Sequence, residues 1–288
     1  MTRTIRLCAV MSGVLVSLCA AAAQPDIVIH EDGPNAESLT STADGAVIFG
    51  SMAKAEVFRA VKGAASAEVW IKPGTNGLQR VLGVFADQRA GTLWVCSSGT
   101  PTALKTFDLA SGAPKSSYDF PGGTGTCNDI AIATDDTVYA TDTTGNRIVR
   151  LAKGGTALET WSTDPKLAGG IDGITLGDDR TVYINTFFTG HLVRIAVAQD
   201  GKAGAATELN LSRPLSRPDG MRSLTQTTML LVEGGGRLDR VTIQGDNANI
   251  EVLKDGLDAP RAVTRDGNSA WVLVGGIRAV AVPVNQAF

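Results

Sequence analysis

Short apolar stretches alternate with Gly/Asp turns along nearly the whole chain, with a period of roughly 44 residues. Each copy reads as a short apolar strand, a turn, a second apolar strand, a loop, and a strand ending near an Arg. The copies run Ser38 to Arg59, Val84 to Asp108, Asp129 to Arg150, Gly173 to Arg194, Gly220 to Arg240 and Arg261 to Val280. Their turn residues Gly45, Gly91, Asp136, Asp179, Gln226 and Gly267 are 46, 45, 43, 47 and 41 positions apart. That length suits a four-stranded unit with short turns, and a fixed strand period means a radial or stacked architecture. The pattern predicts an all-β fold, a six-bladed β-propeller with a central channel, built from residues 24–288 as one domain. Either Ile27-Val28-Ile29 or Val280-Ala281-Val282 alone could supply the outer strand that closes the last blade.

The first 23 residues read as a processing signal. Arg3 and Arg6 precede an apolar run from Leu7 to Ala20, and Ala21-Ala22-Ala23 supplies small residues for cleavage. Cys19 faintly resembles a lipoprotein site, but the bulky Leu18 before it argues against one. The expected location is periplasmic or secreted. Without these residues Lys+Arg falls from 26 to 24 against 29 Asp+Glu, a net charge of −5. No basic run remains, so nucleic acid and anionic membrane surfaces are not expected partners. A monomer acting on a small molecule is expected instead. Cys96 and Cys127 fall in neighbouring repeats and could pair after export. The reading favoured from the sequence is two separate buried thiols packing as small hydrophobes.

Chemistry concentrates at the start of each first strand, because first strands line the channel of such a fold. Those positions are Glu37, Gly83, Asn128, Asp172, Asp219 and Arg261. Three carboxylates gathered in a low-dielectric site repel one another, and a hard divalent cation resolves the conflict. Oxygen-only ligation by Glu37, Asn128, Asp172 and Asp219 suits Ca²⁺, with Mg²⁺ or Mn²⁺ as alternatives. The ends of the second strands should rim the same mouth, which nominates Met52, Asp142, Asn185, Phe187, Phe188 and Glu233 as substrate contacts. Asp142, Asn185 and Glu233 could equally bond turn backbones. The sequence has no G-x-S-x-G elbow, no H-E-x-x-H and no phosphate-binding loop.

The segments Cys127-Asn-Asp-Ile-Ala, Ile171-Asp-Gly-Ile-Thr and Arg217-Pro-Asp-Gly-Met resemble those of the senescence-marker-protein-30/gluconolactonase family. The resemblance spans essentially all of residues 24–288. It implies a calcium-dependent hydrolase of sugar lactones, with relatives that cleave organophosphates. It implies Glu37, Asp172 and Asp219 as metal ligands, and Asn128 as a ligand or substrate contact. Asp172 stands where that family usually has Asn, which adds a negative charge beside the cation. In a hydrolytic reading Asp219 is the first candidate for the general base and Asp129 the second. Competing readings are a metal-dependent esterase or phosphotriesterase, and a propeller binding module whose metal is structural.

Overall fold

The computed structural model describes residues 24–178 and 180–284. The expected leader (1–23), Cys19 and the turn residue Asp179 lie outside the described residues. Among the described residues strands dominate, and only two short 3₁₀ turns, Thr75–Gly77 and Pro165–Leu167, interrupt them. No helix among the described residues is long and apolar enough to cross a membrane.

Most of the strands form antiparallel meanders of four. One runs through Ala36–Ser41, Val47–Ser51, Val57–Ala60 and Ser66–Ile71. The next begins at Arg80–Asp87 and later ones at Cys127–Ile132, Ile171–Asp178 and Pro218–Ser223. Alternation sets the pattern, since side chains of successive strand residues point to opposite faces and each meander is covered on both by its neighbours. Val138–Asp142 is accordingly buried along its whole length. The turn at Asp136 needs a left-handed residue (φ 70°), which Asp tolerates better than most side chains. The first strands pack side by side in a closed ring, the first of them, Ala36–Ser41, touching the last, Pro260–Asp266. This is a propeller arrangement of an all-β chain.

Closure uses both ends of the described chain. Ile27–Ile29 pairs antiparallel with Arg278–Pro283, Ile27 facing Ala279, and so becomes the outermost strand of the last meander. The first of the two closures expected from the sequence is the one found. Ile27 and Ile29 enter one apolar cluster with Leu39, Phe49, Phe58 and Trp271. Burying residues from both ends in one cluster ties the ring shut, because opening it would expose all of them together.

Cys96 and Cys127 form a disulfide, their Cα atoms 5.1 Å apart. This corrects the expectation of separate thiols. Both side chains lie in one buried cluster, so the packing expected of small hydrophobes brings them within bonding reach. The bond staples Thr92–Ser98 to Cys127–Ile132 and fixes the strand that carries Asn128.

Candidate functional site

Every first strand breaks its pairing register with the second strand at the position marked by the sequence. The shifts fall between Ala36 and Ser38, Val81 and Val84, Cys127 and Ile130, Ile171 and Ile174, Pro218 and Met221, and Pro260 and Ala262. They bracket Glu37, Gly83, Asn128–Asp129, Asp172, Asp219 and Arg261. A bulge frees a residue from the ladder and re-aims its side chain, so these bulges turn the polar groups toward the channel. Glycines make room for them. A Cβ on Gly83 would sit 2.3 Å from the Asn128 carbonyl, and one on Gly173 2.4 Å from the Asp219 carbonyl.

Side chains on the second strands hold the next meander in place. Ser98 Oγ donates to the Cys127 carbonyl at 3.0 Å, and Thr141 Oγ1 to the Asp172 carbonyl at 2.7 Å. Thr143 Oγ1 donates to the Ile171 carbonyl, and Asn185 Nδ2 to the Asp219 carbonyl. Buried polar groups must be satisfied, and these bonds satisfy the carbonyls that the bulges release.

Glu37, Asn128, Asp129, Asp172, Asp219, Arg222 and Arg261 line one cavity of about 10 Å³, room for a single water-sized occupant. Burial, then the charges of Glu37 and Asp129, pushes the Asp172 carboxyl well above the ordinary range. Asp219 is pushed up likewise by burial, then by Asp172 and Glu37. The Asn128 and Asp219 side chains both lie within hydrogen-bond reach of the Asp172 carboxyl and offset part of the push on it. Burial raises Glu37 too, against the pull of Arg261, whose Nη1 donates to Glu37 Oε2 at 3.1 Å. The same nitrogen reaches Asn35 Oδ1 and the Ala36 carbonyl.

Asp129 occupies a different position in the network. Arg222 grips it with Nη1 on Oδ2 at 2.8 Å and Nη2 on Oδ1 at 3.0 Å. The amides of Ile130 and Ile174 take its remaining capacity. A carboxylate with both oxygens engaged this way has no free lone pair for a proton in flight, so Asp129 is a strut across the channel. Below Arg222 lies a separate cavity of about 180 Å³, lined by Phe85, Ile132 and Leu176.

Above the carboxylates opens a pocket of about 370 Å³, walled by Asn35, Glu37, Met52, Phe187, Arg217, Asp219, Gly234, Ala259, Pro260 and Arg261. Met52 and Phe187 stand where the sequence reading put them. Phe188 stacks edge-on against Phe187 at 5.3 Å but is 77% exposed and lies outside the wall. Three other nominated contacts turn inward. Asp142 accepts from the Thr126 and Gly145 amides and pairs with Arg147 at 2.8 Å. Asn185 spans Gly173 and Asp219. Glu233 accepts from the Ser216 amide and pairs with Arg213 at 2.8 Å. All three are wholly buried, where a polar group without a partner is costly, so loop amides and arginines claim them. The sequence reading gave no pocket role to Arg217, Asn35 or Ala259, and left Arg261 without a role although it stood at a marked position.

The donor set fits a hard dication at Asn128, Asp172 and Asp219, which offer only oxygen in a cavity of ion size. Glu37 is held aside by Arg261, and no three acidic, His or Cys side chains among the described residues already form a cage.

No family model and no curated protein matches the chain. Solved structures do. A gluconolactonase from Xanthomonas campestris is 14% identical with a TM-score of 0.68, over 92% of this chain and 99% of that one. A catalytically inactive virginiamycin B lyase from Staphylococcus aureus, solved with quinupristin, is 20% identical with a TM-score of 0.66, over 88% of this chain and 82% of that one. A PQQ-bound aldose sugar dehydrogenase from Streptomyces coelicolor is 16% identical with a TM-score of 0.61, over 86% of this chain and 94% of that one. At such identities the likeness shows the fold, a β-propeller, on which a hydrolase, a lyase and a dehydrogenase are all built. Gluconolactonases are among this chain's structural neighbours.

Proposed function

We propose that the chain is an exported six-bladed propeller hydrolase that opens a lactone with the help of one divalent cation, calcium first among the candidates. The observation that carries this reading is the meeting of Asn128, Asp172 and Asp219, each on its own bulge, beneath a 370 Å³ pocket that Asp219 and Glu37 also wall. Asn128, Asp172 and Asp219 would hold the cation, and Glu37 would join them if Arg261 releases it. Bound there, the cation would supply Lewis-acid polarisation of a carbonyl oxygen. Asp219 Oδ accepts the proton of the attacking water and returns it to the ring oxygen as the acyl–oxygen bond breaks. Asn185 fixes the Asp219 backbone, so the base keeps its aim. Met52 and Phe187 shield one side of the substrate from water. Arg222 holds Asp129 in place and leaves proton transfer to Asp219. A leader at residues 1–23 and a periplasmic or secreted location belong to the same reading, and a disulfide suits an oxidising compartment.

The competing reading, a binding module, draws support from Arg261 and Arg222, which already neutralise Glu37 and Asp129 without a metal. A panel of γ- and δ-lactones, assayed with Ca²⁺, with EDTA and with Asp219→Asn, separates the two. Turnover requiring both metal and Asp219 is expected. Full activity in EDTA, or in Asp219→Asn, would overturn the mechanism.

A further inference from the structure

The pocket above the carboxylates carries positive charge that the carboxylate chemistry does not use. Arg217 is on its wall, and its Nη2 donates to the Gly234 carbonyl at 2.8 Å. Arg80 stands at the rim, its Nη2 3.7 Å from Sδ of Met52, close enough to Glu37 to act on it electrostatically. Neither guanidinium forms an ion pair among the described residues. Most other arginines of the chain do, including Arg59, Arg147, Arg150, Arg194, Arg213, Arg222, Arg237 and Arg261.

The backbone at the same wall is held in a conformation that L-residues avoid. Asn35, Arg217 and Ala259 have φ of 42°, 55° and 40°, and each immediately precedes a first strand. Two of them also precede proline, which ordinarily drives a residue toward extended backbone. Left-handed non-glycine residues are strained and gather where a site demands a fixed geometry. At Arg217 that geometry keeps a guanidinium in the pocket wall beside Asp219. Met52, Phe187, Ala259 and Pro260 supply the apolar part of the lining.

We propose that this pocket selects substrates that carry a carboxylate beside the bond to be cleaved, with Arg217 as the principal anion-binding residue and Arg80 as its helper. This rests on the hydrolase reading and names its substrate class: an anionic lactone with an apolar body rather than a neutral sugar lactone. Asp219 and Glu37 make the pocket floor acidic, so an anionic substrate needs a cationic anchor in the wall above them. Arg217 and Arg80 provide it, and a charge-assisted pair there fixes which way round the ring lies.

The test compares γ-butyrolactone with γ-butyrolactone bearing a carboxylate on the ring, in wild type, Arg217→Ala, Arg217→Lys and Arg80→Gln. The carboxylated lactone is expected to have the higher kcat/KM. Arg217→Ala is expected to cut its advantage by about 10- to 100-fold, mostly through KM, with part restored in Arg217→Lys. Its KM is also expected to rise with ionic strength. Equal losses on both lactones, or a preference for the neutral one, would overturn the proposal while leaving the hydrolase intact. If neither lactone turns over, the hydrolase reading falls and calorimetric binding of the ring-opened diacid decides. Binding weakened tenfold or more by Arg217→Ala sustains the anion site, and absent or unaltered binding rejects it.

Discussion

Removing Arg222 should cost more stability than removing any exposed arginine of this chain. The guanidinium reaches from Pro218–Ser223 across the channel to Asp129 on Cys127–Ile132, with two contacts of 2.8 and 3.0 Å. It also donates to the Met221 carbonyl and lies 5.7 Å over the Phe85 ring, so it joins three meanders. Arg222→Met leaves Asp129, 5% exposed, as an uncompensated charge beside Asp172. Breaking a buried pair from one side costs about 3–5 kcal/mol. For a domain of this size each kcal/mol lowers Tm by about 2–4 °C, which gives a fall of roughly 6–20 °C. Arg222→Met combined with Asp129→Asn removes both charges and should lose less than the two single changes together, by at least about 2 kcal/mol. Urea and calorimetric melts of the four proteins complete the cycle. A single-variant loss below about 1 kcal/mol, or simple additivity, would refute the strut.

Three further effects follow from other parts of the structure. Replacing Cys96 and Cys127 by Ser opens a loop of 31 residues and should cost about 4 kcal/mol on loop entropy, read as a lower Tm that matches wild type under reductant. Burial, then Glu233, pushes Asp239 up to about 7 from 3.8, so the folded chain binds more protons than the unfolded one between those values. Asp239 should therefore make stability decline as pH rises from about 4 to 7, and Asp239→Asn should flatten that part of the pH dependence in denaturant titrations. Gly83→Ala drives a Cβ into the Asn128 carbonyl, 2.3 Å away, and should cost about 1–3 kcal/mol and weaken calcium binding by shifting Asn128.

The repeat was legible because turns and strand alternation are local signals. Gly45, Gly91 and Asp136 mark hairpins wherever they occur, and counting between them gave the unit length. The positions of Glu37, Asn128, Asp172 and Asp219 followed from the same register. Their bulges were not legible, since a register shift is a relation between two strands rather than a property of either. That is why Asp129, next to Asn128, looked like a second base until the structure put Arg222 against it. A residue before proline ordinarily favours extended backbone, so nothing local marked the left-handed Arg217 and Ala259 for the pocket wall. The fates of Asp142, Asn185 and Glu233 depended on loops folding over them, and Arg213 lies 20 residues from the glutamate it pairs with. The Cys96–Cys127 bond depended on how closely adjacent meanders pack, which composition does not record.

In the proposed function Asn128, Asp172 and Asp219 form one cation site at the channel mouth. Calorimetric titration of Ca²⁺ into EDTA-treated protein, beside Asp219→Ala and Asp172→Ala, tests it most directly. One site per chain in wild type, weakened at least 100-fold in either variant, is the predicted result. Absence of binding in wild type, or binding that both variants retain, would contradict it.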